Sequence, residues 1–277
     1  MHNNHNLRRN YSVSRLLKKL AIALTGVMLV AGVAQAQTPA TNTFDEIVQR
    51  GKLIVGISLS TPPYGMTDAS MQPSGFDVAI AKLLARDLGV ELEIVDQVSQ
   101  ARIPNLTSGK VDILVSSFGI TAERAKTVMY SNSIYVDEQM VIAPTASDIK
   151  SLEALVGKRV GVTRSTTNDT IITAKAIEGT NIQRFDDDAA TNQALFAGQV
   201  DAIVSGVAAA NAINAQTKDF ERKFAVRQSP MGIGVRRGDF DLLQWLNTEV
   251  MLLWTAGEIQ AAQQEFLGVV NEDLPRF

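Results

Sequence analysis

The sequence predicts an α/β fold built as two lobes. Two observations carry this. Short apolar runs rich in β-branched residues, such as 53–57 and 201–204, alternate with stretches whose apolar residues recur at helical spacing. The order of strand, polar turn and helix then returns in the second half of the chain, without a repeat in the sequence itself. Such alternation calls for a parallel-rich sheet with helices on both faces, and two such units in one chain give two lobes.

The first segment stands apart from that plan. Arg8, Arg9, Arg15, Lys18 and Lys19 precede an apolar run at 20–33, which is followed by Ala34-Gln35-Ala36. A bilayer span needs about 20 apolar residues, more than this run holds. The order of basic, apolar and small residues predicts a secretory signal peptide over 1–36, hence export to the periplasm or the extracellular space. The alternative is an anchor that stays attached. No cysteine is present for a lipid-anchored start, and the Arg8-Arg9 pair leaves Sec and twin-arginine export both open.

The remaining elements follow in order. Residues 37–43 form a short polar tail, expected to be mobile. The run at 53–57 is a buried strand by length and β-branching. Ser60-Thr61-Pro62-Pro63-Tyr64 is a loop set by its two prolines. Phe76, Ile80, Leu83, Leu84 and Leu88 share a helical face, and Gly89 stops that helix. Leu92 and Ile94 alternate in a strand. A helix is expected from about 100 to 108 and a buried strand at 111–115. That strand ends in the polar turn Ser116-Ser117-Phe118-Gly119, with Thr121 placed to cap a following helical turn. The second half reads as a strand at 159–162, a polar turn at 163–168 and a helix ending at Gly179. A helix at 189–197, the strand at 201–204 and a helix at 208–215 come next. A strand at 231–235 and two helices at 239–254 and 257–266 close the plan.

Charge and residue usage exclude several functions. Loss of 1–36 would remove five Lys/Arg and no Asp/Glu, taking the formal net charge from −3 to −8. An acidic chain argues against nucleic acid as a partner. Both histidines, His2 and His5, lie in the leader, and there is no cysteine. The exported chain therefore has no Ser-His-Asp or Cys-His nucleophile, no His or Cys metal site and no disulfide. No cofactor is expected. Gly232-x-Gly234 is not completed to a dinucleotide fingerprint, and no P-loop is present.

In open α/β sheets ligands lie at the carboxyl ends of strands, and two places qualify. At Ser116, Ser117 and Gly119 the turn leaves backbone N–H groups free, and a helix start after it would add more, a geometry suited to an anion. Arg124, one turn on, can clamp a carboxylate through two parallel bonds. The alternative is that Thr121 merely caps a helix and Arg124 is solvated. The second place is Thr163, Thr166 and Thr167, again hydroxyls and free amides before a helix; an ordinary capped turn is the alternative.

These residues also carry a resemblance. The stretches 75–81 (GFDVAIA), 102–112 (RIPNLTSGKVD), 117–126 (SFGITAERAK) and 159–167 (RVGVTRSTT), with 230–239 (PMGIGVRRGD) and 243–247 (LQWLN), occur in order. Over 52–254 the chain resembles the type II periplasmic solute-binding proteins of polar amino-acid ABC transporters, nearest the glutamate/aspartate branch. The resemblance implies a first lobe of 44–142 plus 232–277, a second of 147–227, and a hinge of two crossovers near 142–146 and 227–232. It implies closure on a ligand by hinge motion. By position, the Ser117 and Gly119 amides and the Arg124 guanidinium would hold an α-carboxylate. Thr163, Thr166 and Thr167 would approach from the second lobe. Ser58, Ser60 and Ser116 would border the site, Tyr64 would form an aromatic wall, and Arg102 stands where that branch has an arginine for a side-chain carboxylate. The implied role is a monomeric transport receptor that hands its ligand to a membrane ABC permease and performs no chemistry.

One position departs from the pattern. Amino-acid binders of this kind carry an Asp for the α-ammonium after the strand at 201–204; here the matching residue is Gly206. A buried ammonium without its partner costs about 3–5 kcal/mol. Either another acid fills in, or the ligand is not a standard α-amino acid. Asp137 and the run Asp186-Asp187-Asp188 are the alternatives, although the run reads more readily as a solvated charge cluster. The competing reading is a secreted cyclohexadienyl dehydratase-like enzyme on the same fold, which acts on carboxylates without a bound α-ammonium. It needs a carboxylic acid aimed into the cleft as proton donor, and the sequence does not identify one.

Overall fold

The computed structural model describes residues 42–273, so the expected signal peptide lies outside the described residues. The tail ends earlier than expected: Asn42 already caps helix α1 (Thr43–Arg50), its side chain accepting from the Asp45 amide at 2.8 Å.

One eight-stranded sheet organises the chain. Strand β1 (Lys52–Ile57) pairs in parallel with β4 (Glu91–Asp96) on one side and β5 (Ile113–Leu114) on the other. Strand β7 (Arg159–Thr163) pairs in parallel with β8 (Asn181–Phe185) and β9 (Ala202–Gly206). Between these two parallel wings lie β6 (Val128–Pro144) and β10 (Phe220–Arg236), an antiparallel pair of 17 residues each. A two-stranded ladder of β2 (Met66–Thr67) and β3 (Pro73–Ser74) sits outside the sheet.

Helices cover both faces of each wing. Helix α2 (Phe76–Leu88) lies between Gly75 and Gly89, and Gly89 at φ 68° ends it as the sequence predicts. Helix α3 (Arg102–Thr107) is short and is preceded by a 3₁₀ turn at Ser99–Ala101. In the second wing come α4 (Thr167–Lys175), α5 (Asp188–Phe196) and α6 (Val207–Gln216). Helices α7 (Phe240–Thr255) and α8 (Glu258–Ala262) return to the first wing. Among the described residues no helix is long and apolar enough to cross a membrane.

Each wing has its own core, which makes the two lobes. In the first, Leu53, Val55 and Ile57 of β1 pack with Phe76, Ile80 and Leu84 of α2 and with Ile233, Leu242 and Leu246, all fully buried or nearly so. Each such side chain contributes roughly 1.5–3 kcal/mol by leaving water. In the second, Val141, Val160, Val162 and Val204 fill one face of the sheet, and Ile142, Leu195, Ile203 and Ile213 fill the other. Adjacent residues of β6 thus serve opposite cores, as strand geometry requires.

Three expectations need correction. The strand expected at 231–235 is the end of a 17-residue strand, Phe220–Arg236, and its equally long partner over 128–144, which includes Ile134-Tyr135-Val136 and Met140-Val141-Ile142, has no place in the sequence plan. Its polar residues Ser131, Ser133, Asp137 and Gln139 are buried because the strand crosses from one lobe to the other. The strand expected at 111–115 is only Ile113–Leu114. No α-helix follows Thr121; a 3₁₀ turn of three residues, Arg124–Lys126, takes its place, with the Thr121 hydroxyl accepting from the Arg124 amide at 3.2 Å. The idea that a helix start aims amides at an anion there therefore fails.

Candidate functional site

The strand ends of both wings meet at a small cavity between the lobes. It is lined from the first lobe by Thr61, Tyr64, Ser99, Arg102, Ser116, Ser117 and Met231. The second lobe supplies Thr166, Thr167, Asn168, Asp188, Ser205 and Gly206, and the crossing strand β6 supplies Asp137 and Gln139.

The cationic side is built on β5 and α3. Arg102 is 3% exposed, held down by the first turn of α3. Its guanidinium donates to the carbonyls of Ser99 (3.0 Å), Ser116 (2.8 Å) and, across the cleft, Ser165 (3.3 Å). Burial, with the nearby Arg124 charge, pushes its pKa down to about 9, against the pull of Asp188, Tyr130 and Asp77. Arg124 donates to Gly119 O and to Ser165 O, each at 2.8 Å, and burial lowers its pKa as well. Both guanidinium carbons lie over the Phe118 ring, at 5.4 and 4.7 Å. Every one of these bonds goes to a neutral carbonyl, and no carboxylate pairs with either cation among the described residues.

The acceptor side is built on β6. Tyr135, Asp137 and Gln139 alternate and so share one face of the strand. Tyr135 stacks on Tyr64 with ring centroids 5.6 Å apart. The Tyr64 hydroxyl donates to Asp137 Oδ1 at 3.0 Å, and the Val207 amide donates to the same oxygen at 3.2 Å. Burial pushes the Asp137 carboxyl up to about 7 in spite of these donors. Gln139 donates to Thr167 Oγ1 at 2.6 Å and leaves its own Oε1 without a partner. Asn168 Oδ1 is likewise buried and unpartnered.

Seven of the residues singled out in the sequence line the cavity: Tyr64, Arg102, Ser116, Ser117, Thr166, Thr167 and Gly206. Five do not. The Ser58 hydroxyl is 2.9 Å from that of Ser116, which ties the ends of β1 and β5 together. Ser60 is half-buried on the loop beyond it. Thr163 spends its hydroxyl on Asp188 and Thr191, each at 2.8 Å. Gly119 faces the second lobe so closely that a Cβ there would lie 2.4 Å from Thr167 Cγ2. Arg124 spans the lobes through carbonyls rather than facing the cavity.

Of the lining residues, Thr166 caps α4 by accepting from the Asp169 amide at 3.1 Å. Ser117 adopts φ 44° and donates to Asp77 Oδ2 at 3.2 Å. Asp77 is buried, its other oxygen is unpartnered, and desolvation raises its pKa to about 7.

Two residues matter more than their sequence context indicated. The Asp186-Asp187-Asp188 run is not a solvated cluster. Asp187 caps α5, and the Asp188 carboxylate accepts from Thr61 of the first lobe and Thr163 of the second, each at 2.8 Å. Only Asp186 is exposed. Asp137, an open alternative in the sequence, stands beside Gly206: a Cβ on that glycine would lie 2.2 Å from Asp137 Oδ2 and 2.3 Å from the Tyr64 hydroxyl. The alternation Tyr135-x-Asp137-x-Gln139 was the one available signal for this face.

Known proteins place the geometry in context. Residues 53–269 match bacterial extracellular solute-binding proteins, family 3. The chain is 28% identical over 255 residues to the L-cystine-binding protein TcyJ of Escherichia coli (strain K12), covering 89% of this chain and 95% of that one. The structure of holo ArgBP from T. maritima superposes with a TM-score of 0.72 at 37% identity, over 76% of this chain and 93% of that one. The ancestral amino acid-binding protein AncCDT-1, described as a precursor of cyclohexadienyl dehydratase, superposes at 0.76 and 31% identity, over 81% and 99%.

Proposed function

Because the chain belongs to family 3 of the bacterial extracellular solute-binding proteins, we propose that it captures a small carboxylate-bearing solute, a polar or acidic amino acid, outside the cytoplasm. It then delivers that solute to an ABC permease. The observation that carries the ligand class is Arg102. A guanidinium 3% exposed and bonded only to carbonyls is a buried charge lacking its counter-ion. Leaving such a charge uncompensated costs several kcal/mol, and a carboxylate supplied by the ligand offsets it with charge-assisted bonds. Arg124 does not line the cavity but shares the Ser165 carbonyl with Arg102, and on this reading it turns from that carbonyl to the ligand when an anion arrives.

The relatives support the class without fixing the solute: one is named for L-cystine and another for arginine, both amino acids. Arg102 inclines the reading to the glutamate/aspartate branch. The receptor acts as a monomer, exported by its leader to the periplasm or the extracellular space. Closure swings the two lobes about the middle of β6 and β10. Tyr135 and Met231 pack in the first lobe, while Val141 and Val226 pack in the second. We therefore place the hinge at 136–140 and 227–230, slightly earlier than the boundary near 142.

The test is a thermal-shift screen of the exported chain with amino acids, dicarboxylates and opines. A binder at a hundredfold excess over its Kd should stabilise by about 2.7 kcal/mol. If no carboxylate-bearing solute raises the melting temperature, the receptor reading is wrong.

One observation favours a second reading. A carboxyl held near pH 7 in the cavity, that of Asp137, is what a dehydratase needs as proton donor, and AncCDT-1 is a structural neighbour. Incubation with prephenate or arogenate decides: an aromatic product would replace the receptor with an enzyme.

A further inference from the structure

We infer that Asp137 and Gln139, side by side on the crossing strand β6, form the seat for a cationic group of the ligand, so that the bound solute is a zwitterion with its carboxylate toward Arg102 and its ammonium against Asp137. This rests on the receptor reading above and adds to it the second charge of the ligand and the element that holds it.

Asp137 is a buried carboxyl without a cationic partner among the described residues. It is 6% exposed, and its donors, the Tyr64 hydroxyl and the Val207 and Glu138 amides, are neutral. Two further residues lining the same cavity hold acceptors without partners, Gln139 Oε1 beside Asp137 on β6 and Asn168 Oδ1 from the second lobe. Gln139 is 1% exposed, so water does not reach it freely. A wall of one carboxylate and two amide oxygens asks for a ligand group rich in donors. An ammonium has three N–H bonds and a positive charge to offer, a hydroxyl only one and no charge. A second carboxylate would be repelled.

The other buried acids do not compete for this role. Both oxygens of Asp188 already accept threonine hydroxyls, and Asp77 accepts from Ser117 outside the cavity wall. Gly206 completes the case. A side chain there would begin 2.2 Å from Asp137 Oδ2, within overlap distance. The bare position at the start of α6 is thus what admits a carboxylate from the neighbouring strand. An acid at 206 and the acid at 137 are alternatives for one space.

The carboxyl is poised for this. Burial holds it near 7, and an arriving ammonium favours the ionised form, so binding below neutral pH expels a proton. The titratable groups facing it are Tyr64 from the loop after β1, Tyr135 and Glu138 on its own strand, and, beyond Tyr135, Asp77 on α2.

The probes are the protein amino acids and L-cystine, each paired with its des-amino acid (for glutamate, glutarate), titrated calorimetrically into the exported chain. The wild type should prefer the amino acid. Asp137→Asn should lose on the order of 100-fold for amino acids and little for the des-amino partners. Undiminished amino-acid binding by Asp137→Asn overturns the inference and leaves the receptor reading standing. So does a wild type that binds only des-amino carboxylates. A wild type that binds neither class ends both. Should Asp137→Asn not fold, the wild type itself answers. Titration at pH 6.5 in two buffers of different ionisation enthalpy should show proton release with amino acids and none with des-amino acids; equal release overturns the inference.

Discussion

The Arg124 guanidinium and the Ser165 carbonyl lie 2.8 Å apart, one from each lobe. Arg102 donates to that same carbonyl at 3.3 Å, so two cations converge on a single neutral acceptor at the mouth of the cleft. A carbonyl is a weak match for two charges, and an anionic ligand is a better one.

Replacing Arg124 by Ala should therefore weaken every carboxylate ligand by about 1.5–3 kcal/mol, the usual scale for a bond to a charged group. Calorimetric Kd values for wild type and variant check this. Unchanged affinity would remove Arg124 from the binding machinery.

Arg102→Met should lower affinity for an anion at least about tenfold, since the deepest positive charge disappears. The free protein should shift in Tm by only about a few degrees, because relief of a buried charge offsets the lost carbonyl bonds. A collapse of the fold in thermal melts would instead make Arg102 a structural cation.

Gly119→Ala should impair closure. The new methyl would lie 2.4 Å from Thr167 Cγ2 on the opposite lobe. Overpacking of this kind costs about 1–3 kcal/mol, a loss of about 5- to 150-fold in affinity when it opposes only the closed state. Scattering at saturating ligand should show a larger radius of gyration than the wild type; identical radii and affinities would contradict the account.

The ligand-free protein should lose stability as pH rises from about 4 to about 7. Asp77 and Asp137 are raised by desolvation from 3.8 to about 7, so in that window the folded state holds protons that the unfolded state has released. Groups lowered by arginine partners, Asp87 and Asp201, act with the opposite sign, below about pH 4. Melting temperatures from pH 4 to 8 should thus decline, and Asp137→Asn should flatten the decline. A rise across the window would reverse the sign and count against the burial of these carboxyls.

Much of this was legible in the chain. Residues 53–57 and 201–204 announced strands by β-branching, Phe76 to Leu88 announced a helix by its spacing, and Gly89 marked its end. Arg102, Tyr64 and Thr167 were placed at the cavity through the resemblance. What escaped were positions whose burial only tertiary structure decides. Gln139 lies in a strand absent from the sequence plan, and Asp137 on the same strand stood only as an open alternative, because the burial of both follows from the strand's crossing of the cleft. Asp188 looked like one of three solvated charges, yet threonines on two lobes sequester it. Gly206 looked like a missing acid; the space it leaves is already filled by a carboxylate from the next strand.

The paired strands β6 and β10 run through both lobes without a break, and their register slips four times, between Arg222 and Phe224, Ala225 and Arg227, Met231 and Gly232, and Gly232 and Gly234. The slips fall on either side of residues 227–230, whose rungs to 136–139 are unbroken, so the two threads form one short sprung blade set between looser ends. On the proposed hinge, opening would flex one continuous ply, with the amplitude set by how far its rungs can stretch before they part.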